Sequence, residues 1–129
     1  MKKIKIILIS PQRLNEDQRK LLDKVFKDWT LHRYIKERVN GPQVKQIALN
    51  YPDAIFIVDL SPLLIRRLLN TKVKVYMFEE KEKPVKQHWA KQILQKFKKN
   101  NPYKLVEITD IKLDPYYRGM FIIEKKEVK

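Results

Sequence analysis

Apolar residues along this chain are gathered into short blocks, separated by polar turns and by stretches with helical spacing. Residues 4–9, IKIILI, and residues 54–60, AIFIVDL, are nearly continuous apolar runs. Runs of this length predict central strands buried on both faces. Each ends at a Ser-Pro pair, Ser10-Pro11 and Ser61-Pro62. After the first pair the period changes. Leu14, Leu21, Leu22, Val25, Phe26 and Trp29 recur at helical spacing, and Asn15-x-x-Gln18 has the form of a capping box. Residues 30–35, TLHRYI, predict a second strand. Asn40-Gly41-Pro42 then breaks the chain before a short helix to about Tyr51, with Val44, Ile47 and Ala48 inward.

Ser61 suits an N-cap, and Pro62 suits the first helical position of a helix running to Asn70. Residues 73–78, VKVYMF, predict a fourth strand, followed by the acidic loop Glu79-Glu80-Lys81-Glu82. Pro84 opens a long helix to Lys99, which Asn100-Asn101-Pro102 ends. Residues 103–113 and 120–126 predict two strands joined by a turn over 114–119. Strands that alternate with helices imply a mostly parallel sheet with right-handed crossovers. The expectation is a single α/β domain over residues 1–129. It is three-layered and Rossmann-like or flavodoxin-like, with a C-terminal β-hairpin.

In such a sheet, ligands bind outside the carboxyl ends of the strands, where the winding reverses. The two strands that end in Ser-Pro would be neighbours at that point, and both following helices would aim their N-termini at one crevice. A helix N-terminus offers unpaired amides and partial positive charge, which suits phosphate. Ser10, Gln12 and Arg13 on one side and Ser61 on the other are the expected ligand-binding groups. Asp59 borders the same crevice, where it would act as a base, hold a ribose hydroxyl or pair with a lysine. Ser-Pro is also simply a good helix start, which by itself accounts for Ser61.

Charge changes the picture of the partner. There are 29 Lys and Arg against 15 Asp and Glu, a formal net charge of +14, and such a surface attracts nucleic acid, nucleotides or anionic membrane. Abundant Lys, Ile and Glu with no Cys also resemble a thermophile's surface habits. The helix from Pro84 carries an apolar stripe of Val85, Trp89, Ile93 and Phe97. Its basic face includes Lys86, Lys91 and Lys98, and no acid occurs between residues 83 and 104. With Tyr116, Tyr117 and Arg118 in the last turn, whose aromatic rings would stack on bases or pack on a partner, this helix forms the alternative nucleic-acid surface.

The absences are informative too. Glycine occurs twice, at Gly41 and Gly119, so a P-loop and a Gly-rich dinucleotide fingerprint are excluded by count. Without Cys there is no disulfide and no thiolate metal site, and His32 and His88 have no acidic cluster to make them a metal pair. No metal and no cofactor are expected. The opening MKKIKIILISPQR is too short in its apolar run for a signal peptide, and no stretch reaches membrane-span length. The expectation is a cytoplasmic protein without a membrane partner. His88 follows the fourth strand's loop at the rim of the sheet. Any catalysis would rest on Ser10, Arg13 and His88, by metal-independent positioning of a ribose 2′-hydroxyl for in-line attack.

The turn Leu14-Asn15-Glu16-Asp17-Gln18 after the first strand resembles the helix entry of small type III CRISPR ancillary proteins with a CARF-like Rossmann fold. The later stretch Ala54 to Pro62 is similar in position and character, and the resemblance covers about the first 80 residues. It implies a homodimer that binds cyclic oligoadenylate across its two-fold axis, with ring-nuclease activity in some members. By position it places Ser10, Gln12, Arg13, Asp59 and Ser61 against the ligand. The Gly-rich turn that several such proteins carry after the third strand is missing here. The open alternatives are a general DNA- or RNA-binding protein and a basic interaction module without catalysis.

Overall fold

Six strands form one mixed α/β sheet in the computed structural model, which describes residues 3–81, 101–116 and 119–128. In chain order the elements are β1 (Ile4–Ile9), α1 (Glu16–Phe26), β2 (Trp29–Ile35), α2 (Gly41–Asn50), β3 (Ile55–Val58), α3 (Pro62–Asn70), β4 (Lys74–Glu80), β5 (Tyr103–Leu113) and β6 (Phe121–Val128). The spatial order is β2-β1-β3-β4-β5-β6. The first four strands are parallel, while β5 and β6 run antiparallel. The expected adjacency of β1 and β3 is present, with Ile9 opposite Val58. The helix expected over residues 84–99, with Lys86, His88, Lys91 and Lys98, lies outside the described residues, as do Tyr117 and Arg118.

The apolar runs divide by the two-residue period of a strand. Ile6, Leu8, Ile55 and Ile57 face α1 and pack with Leu14 and Leu22. Ile7, Ile9, Phe56 and Val58 face the other way and pack with Val44, Ile47 and Ala48 of α2 and Ile65 and Leu68 of α3. Among the described residues, one helix therefore covers one face of the sheet and two cover the other. Both faces of β1 and β3 are needed inside, which is why these strands are apolar at consecutive positions. Every residue of β3 is buried.

Three boundaries differ from the expectation. Trp29 is not on α1 but opens β2, because α1 stops at Phe26 and the chain reverses at Lys27. Lys27 has φ 62 and ψ −62, and the Asp28 N–H donates to the Phe26 carbonyl at 2.7 Å. That is a γ-turn of the rare positive-φ kind. Trp29 still touches the helix, through its indole N–H donated to Asp23 at 2.8 Å. Next, β4 extends through Glu79 and Glu80, which were read as loop. They stay in the ladder opposite Lys104 and Tyr103, and Glu79 pairs with Lys125 of β6. Third, β3 ends at Val58, so Asp59 and Leu60 lie beyond it.

The β5–β6 hairpin outruns its neighbour. The last pair between β4 and β5 is Val75 with Ile108, yet β5 continues to Leu113 alongside β6. Its tip, with Tyr116 89% exposed, thus projects past the amino ends of the parallel strands, away from Ser10 and Ser61. An ion pair of Lys112 with Glu124 at 2.9 Å crosses the arm, and one of Lys126 with Glu107 at 3.4 Å crosses the hairpin where β5 still pairs with β4. Among the described residues, no helix is long and apolar enough to cross a membrane.

Candidate functional site

The carboxyl ends of the three strands β2, β1 and β3 are laced together by backbone bonds. The Ser10 N–H donates to the Ile35 carbonyl at 3.1 Å, and the Asp59 N–H donates to the Ile9 carbonyl at 2.9 Å. Beyond this point the two chains part. Residues 10–15 pass to α1 on one face, and residues 59–61 pass to α3 on the other. The crevice at the reversal of winding is therefore divided in two by the strand ends themselves.

On the α1 side lies a hollow of about 290 Å³, lined by Ser10, Gln12, Arg13, Asn15, Asp59 and Tyr103 among others. On the α2–α3 side lies one of about 570 Å³, lined by Ser10, Lys36, Arg38, Asp59, Ser61 and Leu64 among others. Ser10 and Asp59 border both. The expected grouping of Ser10, Gln12, Arg13 and Asp59 is found. Ser61 is the departure: it shares a hollow with Ser10 and Asp59, but not the hollow that holds Arg13. The reason is that α1 and α3 lie on opposite faces, so their N-termini flank the strand ends rather than converge.

The two helix starts also differ chemically. Asn15 accepts from the Gln18 N–H at 2.8 Å, and Gln18 accepts from the Asn15 N–H at 3.0 Å. Glu16 and Asp17 occupy the first turn of α1. The cap uses one of the exposed amides, and the carboxylates offset the dipole. Asn15 further donates to the Tyr103 hydroxyl at 3.1 Å, and Asn101 donates to the Asp17 carbonyl, which ties this corner to β5. An anion gains little there. At α3, by contrast, Ser61 has the extended backbone of an N-cap but makes no side-chain cap bond, and the first turn contains no acid. The expectation that Ser61 caps α3 through its hydroxyl is thus corrected. Ser61 lines the hollow together with Lys36 and Arg38, and because Pro62 has no N–H the free amides of the helix begin at Leu63.

Arg13 is held by stacking, its guanidinium carbon 5.6 Å from the centre of the Tyr34 ring. That anchor costs the guanidinium none of its N–H donors. The Ser10 hydroxyl accepts from the Gln12 N–H at 3.2 Å and shapes the turn. Asp59 is exposed and makes no ion pair among the described residues. Lys36, Arg38 and Tyr34 were missed by sequence reasoning. The signal was available: Lys36-Glu37-Arg38 follows a parallel strand directly, and such loops fall on the carboxyl rim.

Among the described residues, no group of three or more His, Cys, Asp or Glu side chains is placed to hold a metal ion. No family model, curated protein or solved structure matches this chain.

Proposed function

We propose that this chain binds a compact, phosphate-bearing ligand of the cyclic or short oligonucleotide kind at the carboxyl rim of its parallel strands. The observation that carries the reading is the company Ser10 and Asp59 keep: Arg13 in one hollow, Lys36, Arg38 and the uncapped start of α3 in the other. Cations on both sides of a ridge, with uncapped helix amides on the α3 side, suit a ligand with phosphates on both sides of its ring. Asp59 stands between them as an acceptor for a ribose hydroxyl.

The strand order β2-β1-β3-β4 with helices on both faces supports a Rossmann-like, flavodoxin-like assignment, and with it a CARF-like role as a sensor of cyclic oligoadenylate. In that role the protein acts as a homodimer, and ring cleavage would proceed by orientation and positive charge.

The test is calorimetry with cyclic oligoadenylates of several ring sizes, beside a linear oligoadenylate and a DNA duplex. Sharp preference for one ring supports the reading, and chromatography of the same samples reports ring opening. Equal binding of all, with steep salt dependence, would instead favour general nucleic-acid binding through the basic surface.

A further inference from the structure

The opposite rim of the sheet carries its own groove, of about 1040 Å³. Lys3 precedes β1 and Lys5 lies at its start, while Lys72 comes from the turn after α3 and Lys74 from the start of β4. Among the described residues Asp53 is the one acid on its walls, and Glu107 lies near the Tyr76 hydroxyl. Phe26 and Tyr76 form part of the floor, with their rings edge to face at 5.5 Å. Phe26 is half-buried, so an apolar edge is open to an occupant, and the four lysines on the groove's walls are exposed.

We infer that this groove binds single-stranded nucleic acid. Charge complementarity comes first: among the described residues lining the groove, four carry ammonium groups and one a carboxylate. Lys5 shares the face of Ile7 and Lys74 the face of Tyr76, two strand spacings or roughly 10 Å apart, so a ligand that meets both crosses the strand ends and carries several phosphates. The apolar floor selects among polyanions. A single strand has bases to place against Phe26, whereas a duplex hides them. A membrane surface cannot reach recessed rings, since interfacial binding needs apolar groups that protrude. The projecting β5–β6 arm, with the exposed Tyr116, lies at the same end of the sheet.

Fluorescence anisotropy of the full chain with a short labelled single-stranded RNA tests the assignment. The double variant Lys5→Gln/Lys74→Gln should bind about tenfold or more weakly and flatten the logarithmic salt slope by roughly 1.4. The equally charged control Lys20→Gln/Lys45→Gln, on α1 and α2, should stay within about threefold of the parent. Equal losses in both variants would overturn the groove as the site. So would a duplex bound as tightly as the single strand, or binding to phosphatidylserine vesicles without binding to RNA. Cyclic oligonucleotide binding by Lys5→Gln/Lys74→Gln should match the parent, because that reading concerns the opposite rim. The two readings can therefore fail separately.

Discussion

The Asp59 N–H donates to the Ile9 carbonyl at 2.9 Å, so the last bond between β1 and β3 is made by the residue whose carboxylate faces the rim. This bond fixes where the carboxylate stands, between a hollow with Arg13 and one with Lys36 and Arg38. The backbone bond survives side-chain replacement, so charge at this point can be changed without moving the strands.

Asp59→Asn therefore tests what the carboxylate does. Asn keeps an oxygen that accepts the ribose hydroxyl while removing the negative charge beside the phosphates, so the variant should bind cyclic oligonucleotide about threefold or more tightly at low salt. A fall of similar size would show that the carboxylate itself holds the ligand. Titration calorimetry decides the sign.

Arg13→Ala should weaken the same binding by about tenfold or more, the loss expected for a charge-assisted contact. Folding should change little, because Arg13 is exposed and its fold contact is the face of Tyr34. Unchanged affinity would remove Arg13 from the site.

The unlike caps of α1 and α3 predict unlike costs. Asn15→Ala loses the capping box and the bond to Tyr103, and should destabilise the fold by about 1–2 kcal/mol. Ser61→Ala removes no cap bond and should cost about 0.5 kcal/mol or less. Chemical denaturation of the two variants gives the comparison, and equal costs would contradict it.

Lys27 and Lys72 hold φ at 62 and 66 without being glycine. Lys27→Gly and Lys72→Gly should each stabilise the fold by about 0.5–1 kcal/mol, as the relief of the left-handed conformation outweighs the entropy that glycine adds to the unfolded chain. Lys72→Gly should at the same time weaken single-stranded RNA binding. Gain in one measurement and loss in the other would show that the cation is kept for its ligand.

Alkaline stability follows from Tyr76. Burial, and then the nearby Glu107 carboxylate, push its hydroxyl above the ordinary tyrosine value of 10.0. The folded state thus holds the proton more tightly than the unfolded chain. The associated stability is fully present below pH 10.0 and is lost as pH rises above it. The Lys112 amine, raised by its hydrogen bond to Glu124 and then by attraction to that carboxylate, adds a contribution of the same sign. Thermal midpoints should fall above about pH 10, and Tyr76→Phe should flatten the fall. An unaltered slope in that variant would exclude Tyr76 as a cause.

Much of the fold was legible because burial on two faces leaves a mark in one dimension. Ile6 to Ile9 and Ile55 to Val58 must be apolar at every position, and the sequence shows it. Both Asn-x-x-Gln boxes, at Asn15 and Asn40, form as local geometry demands, although the second escaped notice in the pattern. Trp29 was misassigned because its helical spacing continues that of α1, while the γ-turn that ends the helix is centred on a lysine, with no glycine to mark it. The acidic pair Glu79-Glu80 read as loop because the cation that steadies Glu79, Lys125, lies 46 residues away.

What the chain by itself determined is the alternation of strands and helices, the order in which they appear and the excess of positive charge, since these depend on local periodicity and on counting. The tertiary structure decided how the cations are shared out. It placed α1 and α3 on opposite faces, which split one expected crevice into two hollows, and it gathered Lys3, Lys5, Lys72 and Lys74 at the far rim. Residues some 70 positions apart become neighbours only when parallel strands align their ends, and that alignment depends on burial over the whole sheet rather than on any one segment.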